Sequence, residues 1–366
     1  MPQRDRADEL AEYFRLFAVQ ECGDLPVYRR LNLGAADDPE LLDLMVDRIP
    51  QGQRRPNLIL AAVHHLLLQG VEGDIGRWYP TVNGGVAPPD VEVDDPYPAF
   101  HRFVFDHLDE LDPLLRTGAT QTNEVNRSCL WFAGLRGAAA DEPDRPIALV
   151  EIGASAGLNL LFDRYAYDYG DGVMRGVANS PVRLATELIG HSAPVDAPLP
   201  PVVHRVGIDL DPIDVRDPTA AAWLRACVWP EQLDRHARLA AALDLAAAGP
   251  PTIVRGDALD ELPDVVEDLP DDAHVVVVNS WVLVYVERER REALGRLIDT
   301  LGTTRPLTWL SAEHPTCLAR YADPDPEAST LSRTLVGMTR WRHGVQDVSV
   351  PAMVHPHLRW LEWRGT

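Results

Sequence analysis

Ile147-Ala-Leu-Val-Glu151-Ile-Gly153-Ala-Ser155-Ala-Gly157-Leu-Asn159-Leu160 is the stretch on which the fold turns. Ile147–Ile152 is an apolar run of strand length with one acid in it. Three small-residue positions come next, and then a helical pattern. A buried strand that runs into a small-residue turn and a helix is a building unit of parallel α/β sheets. Glycine permits the tight turn and a close backbone approach to a ligand, and the first helical turn offers free N–H groups. As G-x-S-x-G the turn fits the dinucleotide fingerprint G-x-G-x-x-G poorly. It does match the nucleophile elbow of a serine hydrolase, with Ser155 as nucleophile, His314 as base and an Asp between them. That fold needs several strands before the elbow, and the upstream sequence reads as helical.

Farther along the chain, the runs Val202–Ile208, Thr252–Arg255, His274–Val278 and Leu307–Leu310 have strand length. Helical patterns alternate with them at Gly157–Arg164, Ala220–Ala247 and Arg288–Leu301. Continuous apolar strands alternating with helices predict an α/β fold: a doubly wound, mostly parallel, Rossmann-like sheet covered on both faces. Thr339–Trp363 adds strand-like pieces that suggest an antiparallel finish. Upstream, Ala7–Gln20 places Leu10, Tyr13, Phe14 and Phe17 on one helical face, and Asn57–Leu68 and Ala99–Leu115 show a similar period. The Gly-, Pro- and Asp-rich 71–98 reads as loop. Residues 1–140 are therefore expected to be a helical N-terminal cap that shapes an acceptor site. Residues 141–366 are expected to be the sheet domain, with 165–201 as an insertion.

Composition narrows the chemistry. The 366 residues are 46% hydrophobic and 25% charged, as in a globular protein with a real core. All 34 basic residues are arginine. Without lysine there is no pyridoxal-phosphate Schiff base, no P-loop lysine and no kinase lysine. The net charge of −22 repels polyanions, so a small-molecule partner is expected and no nucleic acid. No apolar run reaches the roughly 18 residues of a membrane span. Met1–Leu10 carries no apolar signal region, so no membrane association and a cytoplasmic protein are expected. Cys22, Cys129, Cys227 and Cys317 form no C-x-x-C pair. The adjacent His64 and His65 would point apart on a helix, so no metal is expected. Oligomeric state is not encoded in any of this.

The ends of the strands carry polar groups in an informative order. Glu151-x-Gly153-x-x-x-Gly157 matches the turn that binds S-adenosylmethionine (SAM), where the ligand lies across the loop and side chains must be small. Arg205-Val-Gly-Ile-Asp209-Leu-Asp211-Pro212 ends a strand in acids, and a carboxylate there can accept both ribose hydroxyls. The spacing from Gly153 to Asp209 is long. Either 165–201 is inserted, or the second strand is Tyr165–Tyr169 and Asp171 holds the ribose. Thr252-Ile-Val-Arg-Gly256-Asp257-Ala258 brings an acceptor for the adenine amino group. His274-Val-Val-Val-Val-Asn279-Ser280-Trp281 ends in a polar pair that can orient cofactor or acceptor.

This succession resembles the class I SAM-dependent methyltransferases. More narrowly, the chain resembles a largely actinobacterial family, domain of unknown function 2332. That likeness rests on Gln121-Thr-Asn-Glu-Val-Asn-Arg127, Glu151–Leu160, Arg205–Pro212 and Val228-Trp-Pro-Glu231. The methyltransferase resemblance implies methyl transfer to oxygen, nitrogen or a carboxylate of a small molecule. Arg127 can pair with the methionine carboxylate, while Glu151, Gly153, Ser155, Gly157, Asn159, Asp209, Asp257, Ala258 and Asn279 hold the rest of the cofactor. Such chemistry needs positioning and dryness more than acid or base. Where a base is needed, His314 and Glu313 at the end of Leu307–Leu310 are candidates, and Glu124 can line the acceptor side. A non-catalytic SAM- or nucleotide-binding module is a further alternative to the serine hydrolase.

Overall fold

The computed structural model describes residues 3–50, 56–121, 123–190, 193–326, 333–342 and 345–365; Thr122, within the quoted Gln121–Arg127 motif, lies outside them. Among the described residues no strand precedes residue 147. The chain opens with α1 (Gln3–Gln20), α2 (Pro26–Ala36), α3 (Pro39–Arg48), α4 (Pro56–Leu68), α5 (Tyr97–Asp106), α6 (Leu108–Thr117) and α7 (Ser128–Ala138). The single helix expected over 99–115 is two, because His107 leaves helical geometry at φ −118°, ψ 30°. The pattern over 220–247 also splits, into α8 (Pro218–Ala226) and α9 (Leu233–Ala248). Pro230 explains that break: it lacks an N–H and pushes Trp229 out of the α region.

The strands are β1 (Ile147–Ile152), β2 (Ala166–Asp168), β3 (Arg175–Gly176), β4 (Arg183–Ala185), β5 (Glu187–Gly190) and β6 (Val202–Asp209), then β7 (Thr252–Arg255), β8 (His274–Ser280), β9 (Leu307–Glu313), β10 (Thr334–Arg342), β11 (Val345–Val354) and β12 (Trp360–Trp363). Two more helices, α10 (Ala258–Glu267) and α11 (Arg288–Thr304), follow β7 and β8. The large sheet runs β5-β12-β11-β10-β9-β8-β1-β6-β7. From β7 through β6, β1 and β8 to β9 every pair is parallel, and β10 to β12 close antiparallel. The protein is thus α/β with a large, mostly parallel central sheet. All six residues of β1 are buried, as a strand covered on both faces requires. On one face Val150, Val275 and Val277 pack with Leu262 and Val266 of α10 and with Leu294 and Ile298 of α11. On the other, α7 comes close enough that a Cβ on Gly134 would lie 3.5 Å from Leu310.

The second strand beside β1 is β6, paired from Ile147↔Val202 to Ile152↔Ile208 with a register shift after Ile147. Tyr165–Tyr169 instead contributes β2 to a separate three-stranded sheet, β3-β2-β4. Asp171 there is tied to Arg175 at 2.8 Å. Asp209, not Asp171, therefore stands at the carboxyl end of the strand next to β1.

By packing, the chain forms two compact units: residues 1–122 with 216–240, and 123–215 with 241–366. This division differs from the one drawn at residue 140 on the sequence. Helical periodicity marks where strands begin, and α7, though helical, packs on the sheet. In the helical unit, Glu231 accepts from the N–H groups of Val27 (3.1 Å) and Tyr28 (3.0 Å), at the first turn of α2. Trp229 stacks edge-on to Phe17 at 5.6 Å. The Val228–Glu231 motif thus closes the helical unit onto itself. His64 is fully buried there, with its ring nitrogens on the Ala226 carbonyl (3.0 Å) and Thr81 Oγ1 (2.8 Å). Burial holds its pKa down to about 3.

Candidate active site at the carboxyl edge of the sheet

The strand order runs outward from β1 in both directions, through β6 to β7 and through β8 to β9. Open α/β sheets bind ligands beyond the carboxyl ends of the strands at such a reversal. The groups collected there all belong to the sheet unit.

The turn after β1 is left-handed three times over: Gly153 has φ +71°, Ser155 +53° and Gly157 +67°. The smallness at its glycines serves the protein's own packing. A Cβ on Gly153 would lie 2.6 Å from Val282 Cγ2, and one on Gly157 2.5 Å from Pro251 Cγ. On β6, Gly207 leaves room for Ala154, whose Cβ would otherwise meet another at 2.5 Å. The turn is therefore seated against its neighbours, and its backbone is fixed. The chain then continues as a 3-10 helix, Leu158–Arg164, kinked at Leu161, in place of an ordinary α-helix.

Asp209 meets this turn directly. Its Oδ2 accepts from Ser155 N at 2.7 Å and its Oδ1 from Asp211 N at 2.8 Å. Glu151, one strand away, is 3% exposed, and its Oε2 has no hydrogen-bond partner among the described residues. Burial, and then the negative charge of Asp209, push its carboxyl up to about 8, against the pull of Arg127 and a hydrogen bond from Asn159. At neutral pH Glu151 is mostly protonated. Asn159 is buried and accepts from Ser128 Oγ at 2.8 Å, which fixes its amide.

Arg127 precedes α7 and is 6% exposed. It donates to the carbonyls of Pro356 (3.2 Å) and Ser280 (3.3 Å), and its charge reaches both Glu151 and Glu313. Glu124 caps the short turn before α7 by accepting from Asn126 N at 3.1 Å, and its Oε2 lies 3.6 Å from His357 Nδ1. Asn126 donates to the carbonyls of Ala185 and Leu358, each at 2.9 Å. That contact captures Leu358 at φ +50°, a conformation that costs a branched side chain and persists only where neighbours enforce it.

On the β8–β9 side, Glu313 is fully buried. Its Oε1 accepts from Asn279 Nδ2 (2.8 Å), Val282 N (2.9 Å) and Leu283 N (3.1 Å). Its Oε2 has no partner among the described residues. Burial raises its pKa to about 7, with those three donors pulling the other way. Asn279 is itself enclosed, donating to Ser311 Oγ at 2.8 Å and accepting from Trp309 Nε1 at 2.7 Å. The sequence reading treated Glu313 and Asn279 as two separate places, and here their side chains are hydrogen-bonded. The structure gives Asn279 and Glu313 the task of fixing the 281–285 turn.

Three expected residues sit in other arrangements. Asp257 caps α10 by accepting from Leu259 N at 2.9 Å, and it pairs with Arg290 at 2.5 Å. Ala258 is the first residue of that helix. His314 has Nδ1 at 2.8 Å from Thr316 Oγ1, so that nitrogen is spent on the following turn. Burial lowers its pKa. His357 and Asn126 are additions that the sequence reading did not assign. The signal for His357 was the His355-Pro356-His357 triplet after β11, but nothing local ties it to Glu124, 233 positions earlier.

Among the described residues no group of His, Cys, Asp and Glu is arranged to hold a metal ion, and no helix is long and apolar enough to cross a membrane. The chain belongs to the family described as "uncharacterized protein conserved in bacteria (DUF2332)", whose model matches residues 11–363. No curated protein matches the chain.

Proposed function

We propose that this member of the DUF2332 family is a SAM-dependent methyltransferase acting on oxygen, nitrogen or a carboxylate of a small molecule. The observation that carries the reading is the pairing of Glu151 and Asp209 at the ends of adjacent parallel strands, at the strand-order reversal, with a left-handed turn between them. Each carboxylate oxygen can accept twice, so Asp209 retains capacity for ribose hydroxyls beyond its two backbone donors. Glu151 offers a buried oxygen that lacks a partner among the described residues. Arg127 adds the cation suited to a carboxylate. SAM supplies an activated methyl group on a sulfonium. The residues of this chain bind, orient and keep the site dry. Glu313, raised to about 7, can hold a proton beside the 281–285 turn at working pH.

A protonated Glu151 makes a specific test available. SAM differs from S-adenosylhomocysteine in one positive charge. A cation brought near Glu151 favours its ionised form and expels its proton. Titration calorimetry at pH 7 in buffers of different ionisation enthalpy should show more proton release with SAM than with the homocysteine form. Glu151→Gln should remove that excess. Absence of binding by either ligand would sink the reading.

One observation favours the serine hydrolase: the left-handed φ of Ser155 suits the strained nucleophile of an elbow. Against it, the Nδ1 of His314 bonds Thr316. A fluorophosphonate probe decides, since labelling that Ser155→Ala abolishes would replace the methyltransferase reading.

A further inference from the structure

Beside the carboxyl-edge site, a cavity of about 500 Å³ lies between α11 and the segment after β9. Arg288 and Arg291 from the first turn of α11 and Arg296 farther along it line the cavity together with Arg320. Four guanidiniums thus share one cavity, in a chain whose net charge is −22, with Arg288 and Arg296 at its exposed rim.

Two of the four are compensated. Arg288 pairs with Glu292 at 2.9 Å, and Arg320 with Asp299 at 2.7 Å while lying 5.1 Å over the Trp309 ring. Arg291 and Arg296 pair with no carboxylate among the described residues. Arg288, the first residue of α11, and Arg291 bring that helix's first turn to the cavity. Its floor is not isolated. Leu283 N donates to Glu313, and Trp309 Nε1 donates to Asn279. Both lining residues thus hold the buried network that ends β8 and β9.

We propose that this cavity is a binding site for a small polyanion bearing phosphate or carboxylate groups, recognised by the guanidiniums of Arg291 and Arg296. Planar guanidiniums match both oxyanions in two-point contacts. The site stands independently of the cofactor reading, since none of its arginines belongs to the carboxyl-edge cluster.

Inorganic pyrophosphate and citrate, titrated separately into the full chain at low ionic strength, test the proposal by calorimetry. At least one should bind with a submillimolar Kd. The double variant Arg291→Gln/Arg296→Gln should weaken that binding at least tenfold, and Arg296→Gln alone, at an exposed position, by less. Arg102→Gln removes the same charge in the helical unit and should leave binding unchanged, with thermal melts of all variants superimposing. Binding of neither probe would overturn the proposal. So would equal weakening in Arg102→Gln, which reads a general field, or undiminished binding in the double variant.

Discussion

Each unit holds an acid enclosed by protein, and the two acids are treated in opposite ways. In the helical unit, Glu231 has both oxygens occupied by backbone donors of α2. In the sheet unit, Glu151 is more deeply buried and keeps one oxygen without a partner among the described residues. Burial raises the pKa of both. A carboxylate satisfied on both oxygens fastens structure together. One left incomplete in a dry site is costly, and such costs concentrate where a ligand completes the network.

The contrast can be broken most sharply by pH. An unfolded glutamate loses its proton near its ordinary value of 4.5, while folded Glu151 keeps it to about 8. Unfolding therefore releases a proton between those values, and stability contributed by Glu151 is lost as pH rises through that window. Glu151→Gln does not titrate, so its stability relative to the parent should rise by about 3 kcal/mol from pH 5 to pH 8 in urea denaturation. A flat difference would mean that Glu151 is ionised and satisfied.

A smaller effect belongs to the helical unit. Glu231→Ala leaves two backbone donors of α2 without an acceptor and should cost about 2 kcal/mol at any neutral pH. SAM affinity of the folded protein should be unaltered; a parallel loss of affinity would erase the distinction between the two acids. Next, Asp209→Ala should weaken SAM roughly tenfold by calorimetry, about 1.4 kcal/mol. Unchanged affinity would remove Asp209 from the cofactor's contacts. Smallest of all, Arg290→Ala breaks a half-exposed pair with Asp257 and should change stability by less than about 0.5 kcal/mol. A large loss there would show that the end of β7 is more than a capped helix.

Much of the sheet was legible because parallel strands buried on both faces must be written as unbroken apolar runs. Ile147–Ile152, buried throughout, matches β1 end to end; Thr252–Arg255 matches β7 as well, although that edge strand is exposed at both of its ends. The acids at strand ends were legible for the same reason, since a charge that closes an apolar run stands out. Three features escaped. The helix expected after Gly157 is a short 3-10 segment, a choice made by packing and not by period. Asn126 and His357 act through partners far along the chain, which no local pattern records. The return of 216–240 to the helical unit is also a matter of long-range contact: the sequence shows a helix there, but not which core it serves.

That return has a consequence for how the protein is made. Residues 1–122 emerge first, yet their unit lacks α8 and the Glu231 that holds α2 until residue 240 has been synthesised. By then β1 and β6 are already out, while their neighbours β7 and β8 are still to come. Domains generally fold as units during synthesis, the N-terminal one first. Here neither unit can finish before residue 240 has been made, so both wait together as incomplete cores.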